Sequence, residues 1–223
     1  TRAAAQVMAL LAACEWDASS DAVLDWLKNT PAIAPRTVQS LERRVRRAGL
    51  RAWNAVTPKR LDEGRKDDEK GPPGAWAAAI EQANAWRERL AQARPLTQWQ
   101  QALREVLQAG RQWNALEADA AGSQLVAALG LDEAGEALWA QLPQAARRLS
   151  LSEFTAWAGE ALEAASFVPD APSSAQVVIL PFNQLLGRHF PALVIPGCDE
   201  VRLAPSPEPP GPWTAAQREV LGL

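Results

Sequence analysis

The sequence predicts a mainly α protein, a helical bundle-like region followed by a short strand–loop–strand piece of a larger sheet. Three observations lead there. Apolar residues recur at spacings of three and four through most of the chain, as a buried helix face requires. Gly and Pro punctuate these stretches at helix-length intervals. After Pro172 the texture changes to two short β-branched runs.

The elements follow in order. The start, TRAAAQVMALLAAC, is apolar enough to raise the question of a signal peptide, but Glu15, Trp16 and Asp17 follow it without a cleavage pattern, and an amphipathic helix fits better. Asp21 to Lys28 sets Val23, Leu24, Trp26 and Leu27 against a core, with Ser20 as its N-cap. Beyond Pro31 and Pro35, Thr37 caps a helix carrying Val38, Leu41 and Val45 that Gly49 ends. Residues 57–74 are dominated by charge, Pro and Gly and read as an exposed polar loop. Helices resume over 75–93, from Thr97 to Gly110, over 112–129 and over 133–142. Ser150 and Glu153 form a capping-box pattern before Phe154, Trp157, Ala161 and Leu162. QVVIL (176–180) and ALVIP (192–196) read as strands, and two such short strands need a sheet supplied from elsewhere. Residues 203–212 are turn-rich, and Thr214 caps a last helix. The expected division is a helical part over 1–172 and a second part over 173–223. The chain reads as a region of a longer protein.

Composition excludes several functions. The chain has 223 residues and a formal net charge of −3, so a uniformly basic nucleic-acid coat is ruled out. Two cysteines, Cys14 and Cys198, support neither a disulfide framework nor a cysteine zinc site. The only histidine, His189, leaves no material for a His-rich metal centre. No apolar run approaches the roughly 20 residues of a membrane span, and a cytoplasmic location is expected. No GxxxxGK[ST] phosphate loop is present, and no GxGxxG follows a strand.

The candidate chemistry is therefore local. Between Arg36 and Arg60 eight basic side chains face the single acid Glu42, a local charge of +7. Arg43, Arg44, Arg46, Arg47 and Arg51 are the candidate contacts to a phosphate backbone. The competing reading is basic residues favourably ending a helix. Most of the ten tryptophans fall on apolar stripes and are expected in the core; Trp53, between the arginine run and the polar loop, is the exception held as a stacking candidate, with the core reading favoured. The Asp67–Asp68–Glu69 cluster reads as a solvated linker, and Cys14 as a buried helix residue.

Residues 176–201, QVVILPFNQLLGRHFPALVIPGCDEV, resemble the motif V region of superfamily 1 helicases of the UvrD/RecB type. There a strand runs into T-x-H-x-x-K-G-L-E-F and a second strand ends in Gly. In this chain Pro181 stands at the Thr position, Asn183 at the His, Leu186 at the Lys, Gly187 at the Gly, Arg188 at the Leu and His189 at the Glu, while Phe190 matches the Phe and Gly197 the later Gly. The frame is kept and most coupling residues are replaced, as in the degenerate AddB- and RecC-like helicase folds and the RecB-like putative DNA repair proteins with a downstream nuclease domain. The resemblance implies that 1–172 is a helical 2B-like subdomain and that 173–223 belongs to a RecA-like 2A domain. It implies a non-catalytic segment of a DNA repair or recombination helicase–exonuclease. Arg188 and His189 would then touch phosphate. The segment would hold no cofactor, with ATP and Mg belonging to the parent protein. Its partners would be DNA, other domains of the same chain and a second helicase–nuclease subunit, and no membrane. Two alternatives stay open: a structural or adaptor helical domain making protein contacts, and a small enzyme using His189 with Asp199 or Glu200.

Overall fold

The computed structural model describes residues 1–62, 74–169, 177–181, 184–185, 187–197 and 213–222. They fall into two compact units, Thr1–Asp170 and Ala171–Leu223.

The first unit is built around α1 (Arg2–Cys14), whose Val7, Leu10 and Leu11 are fully buried. Thr1 caps it, its side chain accepting from the Ala4 N–H. Its C-terminal carbonyls are closed from another helix. The Arg87 guanidinium on α5 (Ala75–Arg89) donates through Nε to the Ala13 carbonyl at 2.8 Å and through Nη2 to the Glu15 carbonyl at 2.7 Å. A cation at the negative end of a helix stabilises the carbonyls it meets.

Helix α2 (Ser20–Lys28) packs on α1 and presents Trp26 edge-on to Trp86 of α5 at 5.6 Å. Its cap is Ser19 rather than the expected Ser20; the hydroxyl of Ser19 accepts from the Ala22 N–H, and Ser20 is itself buried. Helix α3 (Pro35–Ala48) begins two residues before the expected Thr37, with Ala34 at the cap and no side-chain cap bond. Pro35 explains this: its fixed φ suits the first helical position, and its missing N–H is one the helix does not use. Gly49 ends α3 at φ 65°, as expected. The chain then turns back along the start of α2. The Ser20 N–H donates to the Arg51 carbonyl at 2.7 Å and the Trp53 N–H to the Ala18 carbonyl at 3.0 Å. Trp53 is buried, its indole N–H donating to Asn84 Oδ1.

The expected loop 57–74 is not wholly a loop, since α4 occupies Pro58–Asp62 and buries Leu61. Residues 63–73, with the acidic cluster, lie outside the described residues.

Helix α6 (Leu96–Ala109) follows α5 and buries Trp99, Leu103 and Leu107. The expected helix 112–129 is two helices, α7 (Trp113–Ala118) and α8 (Ala120–Ala128), because Asp119 adopts extended φ/ψ and its carboxylate accepts from the Gly122 N–H. Then come α9 (Glu133–Ala140) and α10 (Leu151–Ala164), the latter started by the complete Ser150–Glu153 capping box. The strand pairing found among the described residues was not anticipated. It joins β1 (Arg94–Pro95) to β2 (Arg148–Leu149), antiparallel and two residues long, pinning the start of α6 beside the start of α10.

The second unit corrects the strand expectation. Residues 177–181 and 192–197 form no strand, and Ile179 and Val194 are 94% and 87% exposed. A β-branched run has local strand preference, but a strand exists only where a neighbour satisfies its N–H and C=O groups. Helix α11 (Ala215–Leu221) is present as expected, with a capping box between Thr214 and Gln217.

Candidate functional site

Helix α3 is strongly amphipathic. Val38, Leu41 and Val45 form its buried face. At 3.6 residues per turn, Arg36, Arg43 and Arg47 fall within about 40° of one another on the opposite side, over about 16 Å of axis. All three are exposed and form no ion pair among the described residues. Arg43 only lays its Nε–H on the Gln39 carbonyl, at 3.4 Å. Arg51, just past the Gly49 turn, is also exposed, and its backbone is held against α2.

Arg44 and Arg46 are used differently. They sit on the two flanks of α3, where neighbouring elements reach them. Arg44 is half-buried, pairs with Asp62 of α4 at 3.2 Å and lies 4.4 Å over the ring of Trp76 on α5. Arg46 donates through Nε and Nη2 to Glu42, with Asp21 of α2 at 3.6 Å. Glu42 also takes Lys28 at 3.1 Å, and these hydrogen bonds, Arg46 first, hold its carboxyl below the ordinary range. Two of the five expected contacts therefore bind their own protein. The residue that completes the exposed stripe, Arg36, was counted in the basic run but not singled out. Its signal was the spacing of seven and eleven residues to Arg43 and Arg47.

The positions on which the motif V resemblance rests belong to the second unit. Pro181 is exposed and its carbonyl accepts from the Gln184 N–H at 2.9 Å. Gly187 and Gly197 take φ of 73° and 72°, which suits glycine. Arg188 and His189 are exposed and Phe190 is half-buried. Asn183, Leu186, Cys198, Asp199 and Glu200 lie outside the described residues.

Two further groups bear on chemistry. No cluster of three or more His, Cys, Asp or Glu able to hold a metal occurs among the described residues. Burial pushes the Cys14 thiol up to about 12, with Arg87 lowering it only in part. The thiolate is the reactive form, so burial disfavours reaction at Cys14. In a Cys198→Ser chain, Ellman's reagent should find no thiol at pH 8 in the native state and one per chain after denaturation; rapid native labelling would show that Cys14 is not enclosed.

Among the described residues no helix is long and apolar enough to cross a membrane. No family model, curated protein or solved structure matches the chain.

Proposed function

We propose that the helical unit grips the sugar–phosphate backbone of DNA through α3, as a non-catalytic segment of a DNA repair or recombination helicase–exonuclease. The observation that carries the first half is the stripe of Arg36, Arg43 and Arg47, exposed and unneutralised in a chain whose net charge is −3. A repulsive cluster of this kind costs stability unless an anion is brought to it. The stripe is straight, has no aromatic among its members and spans about five base pairs at 3.4 Å each. That suits contact with phosphates and not the reading of bases.

The second half rests on the motif V resemblance. The exposed β-branched runs at 177–180 and 193–195 are consistent with strands lacking the sheet of a RecA-like domain. ATP and Mg would be bound by other parts of such a protein.

The internal pairing of Arg44 and Arg46 favours the adaptor reading instead, because it reduces the charge left for DNA. Salt-dependent binding separates the two. Fluorescence anisotropy with a labelled duplex should give binding that weakens steeply with salt. The Arg36→Gln, Arg43→Gln, Arg47→Gln triple variant should lower the log–log salt slope by about 2 to 3, because each phosphate contact contributes about 0.9. Arg46→Gln should leave the slope unchanged. No binding at low salt, or a slope indifferent to the triple variant, would reject the DNA reading and leave the adaptor.

A further inference from the structure

The C-terminal end of α1, the last turns of α5 and the start of α10 enclose a half-open cavity of about 550 Å³. Trp16 stands at its wall with 79% of its surface exposed, the most exposed aromatic side chain described in the helical unit. The other tryptophans of this unit are buried or partly buried in the core. A tryptophan lining a cavity can become a binding anchor when a partner covers it, since Trp is enriched among residues that carry binding energy.

The charge around it is mostly negative. Glu15 and Glu88 line the cavity and Asp17 adjoins Trp16 in the chain. None of the three carboxylates forms an ion pair among the described residues. The one cation present, Arg87, directs Nε and Nη2 into the Ala13 and Glu15 carbonyls, so these donors serve the end of α1 and not the carboxylates. Burial, and then the nearby Asp17 charge, raise the Glu15 carboxyl above its ordinary value, as happens where a carboxylate lacks a counter-cation. Ser152 adds a hydroxyl to the lining, and Leu151 an apolar side chain for an alkyl stem to pass over.

We propose that this cavity receives an arginine or lysine side chain from a basic segment of a protein partner. The cationic head would lie against the Trp16 face and between Glu15 and Glu88, and its methylenes would pass over Leu151. The negative field makes the cavity unsuited to a phosphate. The site is independent of the arginine stripe on α3, so either proposal can fail alone.

The test is a titration of the full chain, followed through the Trp16 indole N–H signal, with N-acetyl-arginine-N-methylamide as the probe. Trp16→Phe assigns the signal, and the other indole signals report an intact fold. A saturable shift confined to Trp16 is expected, with little response to the uncharged citrulline analogue. Glu88→Gln, at an exposed position, and separately Glu15→Gln should each weaken binding by about fivefold. No shift, an equal response to citrulline, or affinity unchanged in both variants would overturn the proposal.

Discussion

Trp99→Ala should lower the unfolding free energy by about 3–5 kcal/mol, the range for deleting a large buried aromatic. Trp99 is fully buried on α6 and lies nearly parallel to Phe154 of α10, 4.9 Å between ring centres. Its indole N–H donates to the Leu149 carbonyl at 2.9 Å, and the Arg94 guanidinium sits 5.0 Å from the ring. One side chain thus ties α6, β2 and α10 together. The contact continues from Phe154 to Trp157 at 5.5 Å and on to Trp139 of α9 at 5.6 Å. A domain of ordinary stability has only about 5–15 kcal/mol in total, so the loss is a large part of it. Urea unfolding should show a much lower midpoint with a similar slope. Trp99→Phe keeps the stack and loses the hydrogen bond, so it should fall between wild type and Trp99→Ala. If Trp99→Ala cost no more than a typical exposed-site change of about 0.5 kcal/mol, the interior role of Trp99 would be refuted.

The stripe that buries Trp99 is legible in the sequence because it repeats with the helix. Trp99, Leu103 and Val106/Leu107 recur on one face, and Gly110 follows the last turn. The capping boxes at Ser150 and Thr214 are legible for the same reason, being local bonds between residues three apart. Two caps shift, by one and by three residues, because the neighbours compete. Ser19 and Ser20 are equivalent as letters, and Pro35 starts a helix without any capping oxygen. The break at Asp119 is harder to read, since Ala and Leu on both sides favour helix throughout. The β1–β2 pair joins residues more than fifty positions apart and is too short to carry any period. The strand expectation at 176–180 failed the opposite way: its described residues form no strand, because strand formation depends on a partner that local sequence does not contain.

The same division runs through the candidate site. That the arginines of 36–51 crowd one helix and the turn after it is a matter of sequence. Which of them remain free is decided by Glu42 on α3 itself and by Asp21, Asp62 and Trp76, brought up by three other helices. Helical geometry alone separates Arg36, Arg43 and Arg47 from the flanking pair and sets Arg46 one turn from Glu42; the fate of Arg44 needs the tertiary structure. Trp16 was visible as the residue where the first apolar helix stops. That α5 and α10 make it the wall of a cavity was not.

Gly122→Ala should destabilise the chain, and Gly159→Ala should stabilise it, although both glycines lie inside helices. A Cβ at Gly122 would stand 2.2 Å from the Leu116 carbonyl oxygen and 2.8 Å from the Leu116 carbonyl carbon and Cα. These are backbone atoms of α7 and cannot rotate aside. Relief requires α7 and α8 to separate, which would also pull the Gly122 N–H from the Asp119 carboxylate, now 2.8 Å away. Overpacking costs about 1–3 kcal/mol and a lost cap about 1 kcal/mol more. At Gly159 of α10 the nearest atom to a new Cβ is Met8 Cε at 3.7 Å, an ordinary contact. There Ala only removes the entropy that Gly loses on entering a helix, so a gain of about 0.5–1 kcal/mol is expected. Urea unfolding of the two variants should therefore move the midpoint in opposite directions. Propensity alone predicts a gain at both positions, so a gain at Gly122 would mean that α7 and α8 do not approach as closely as the carbonyl contact requires.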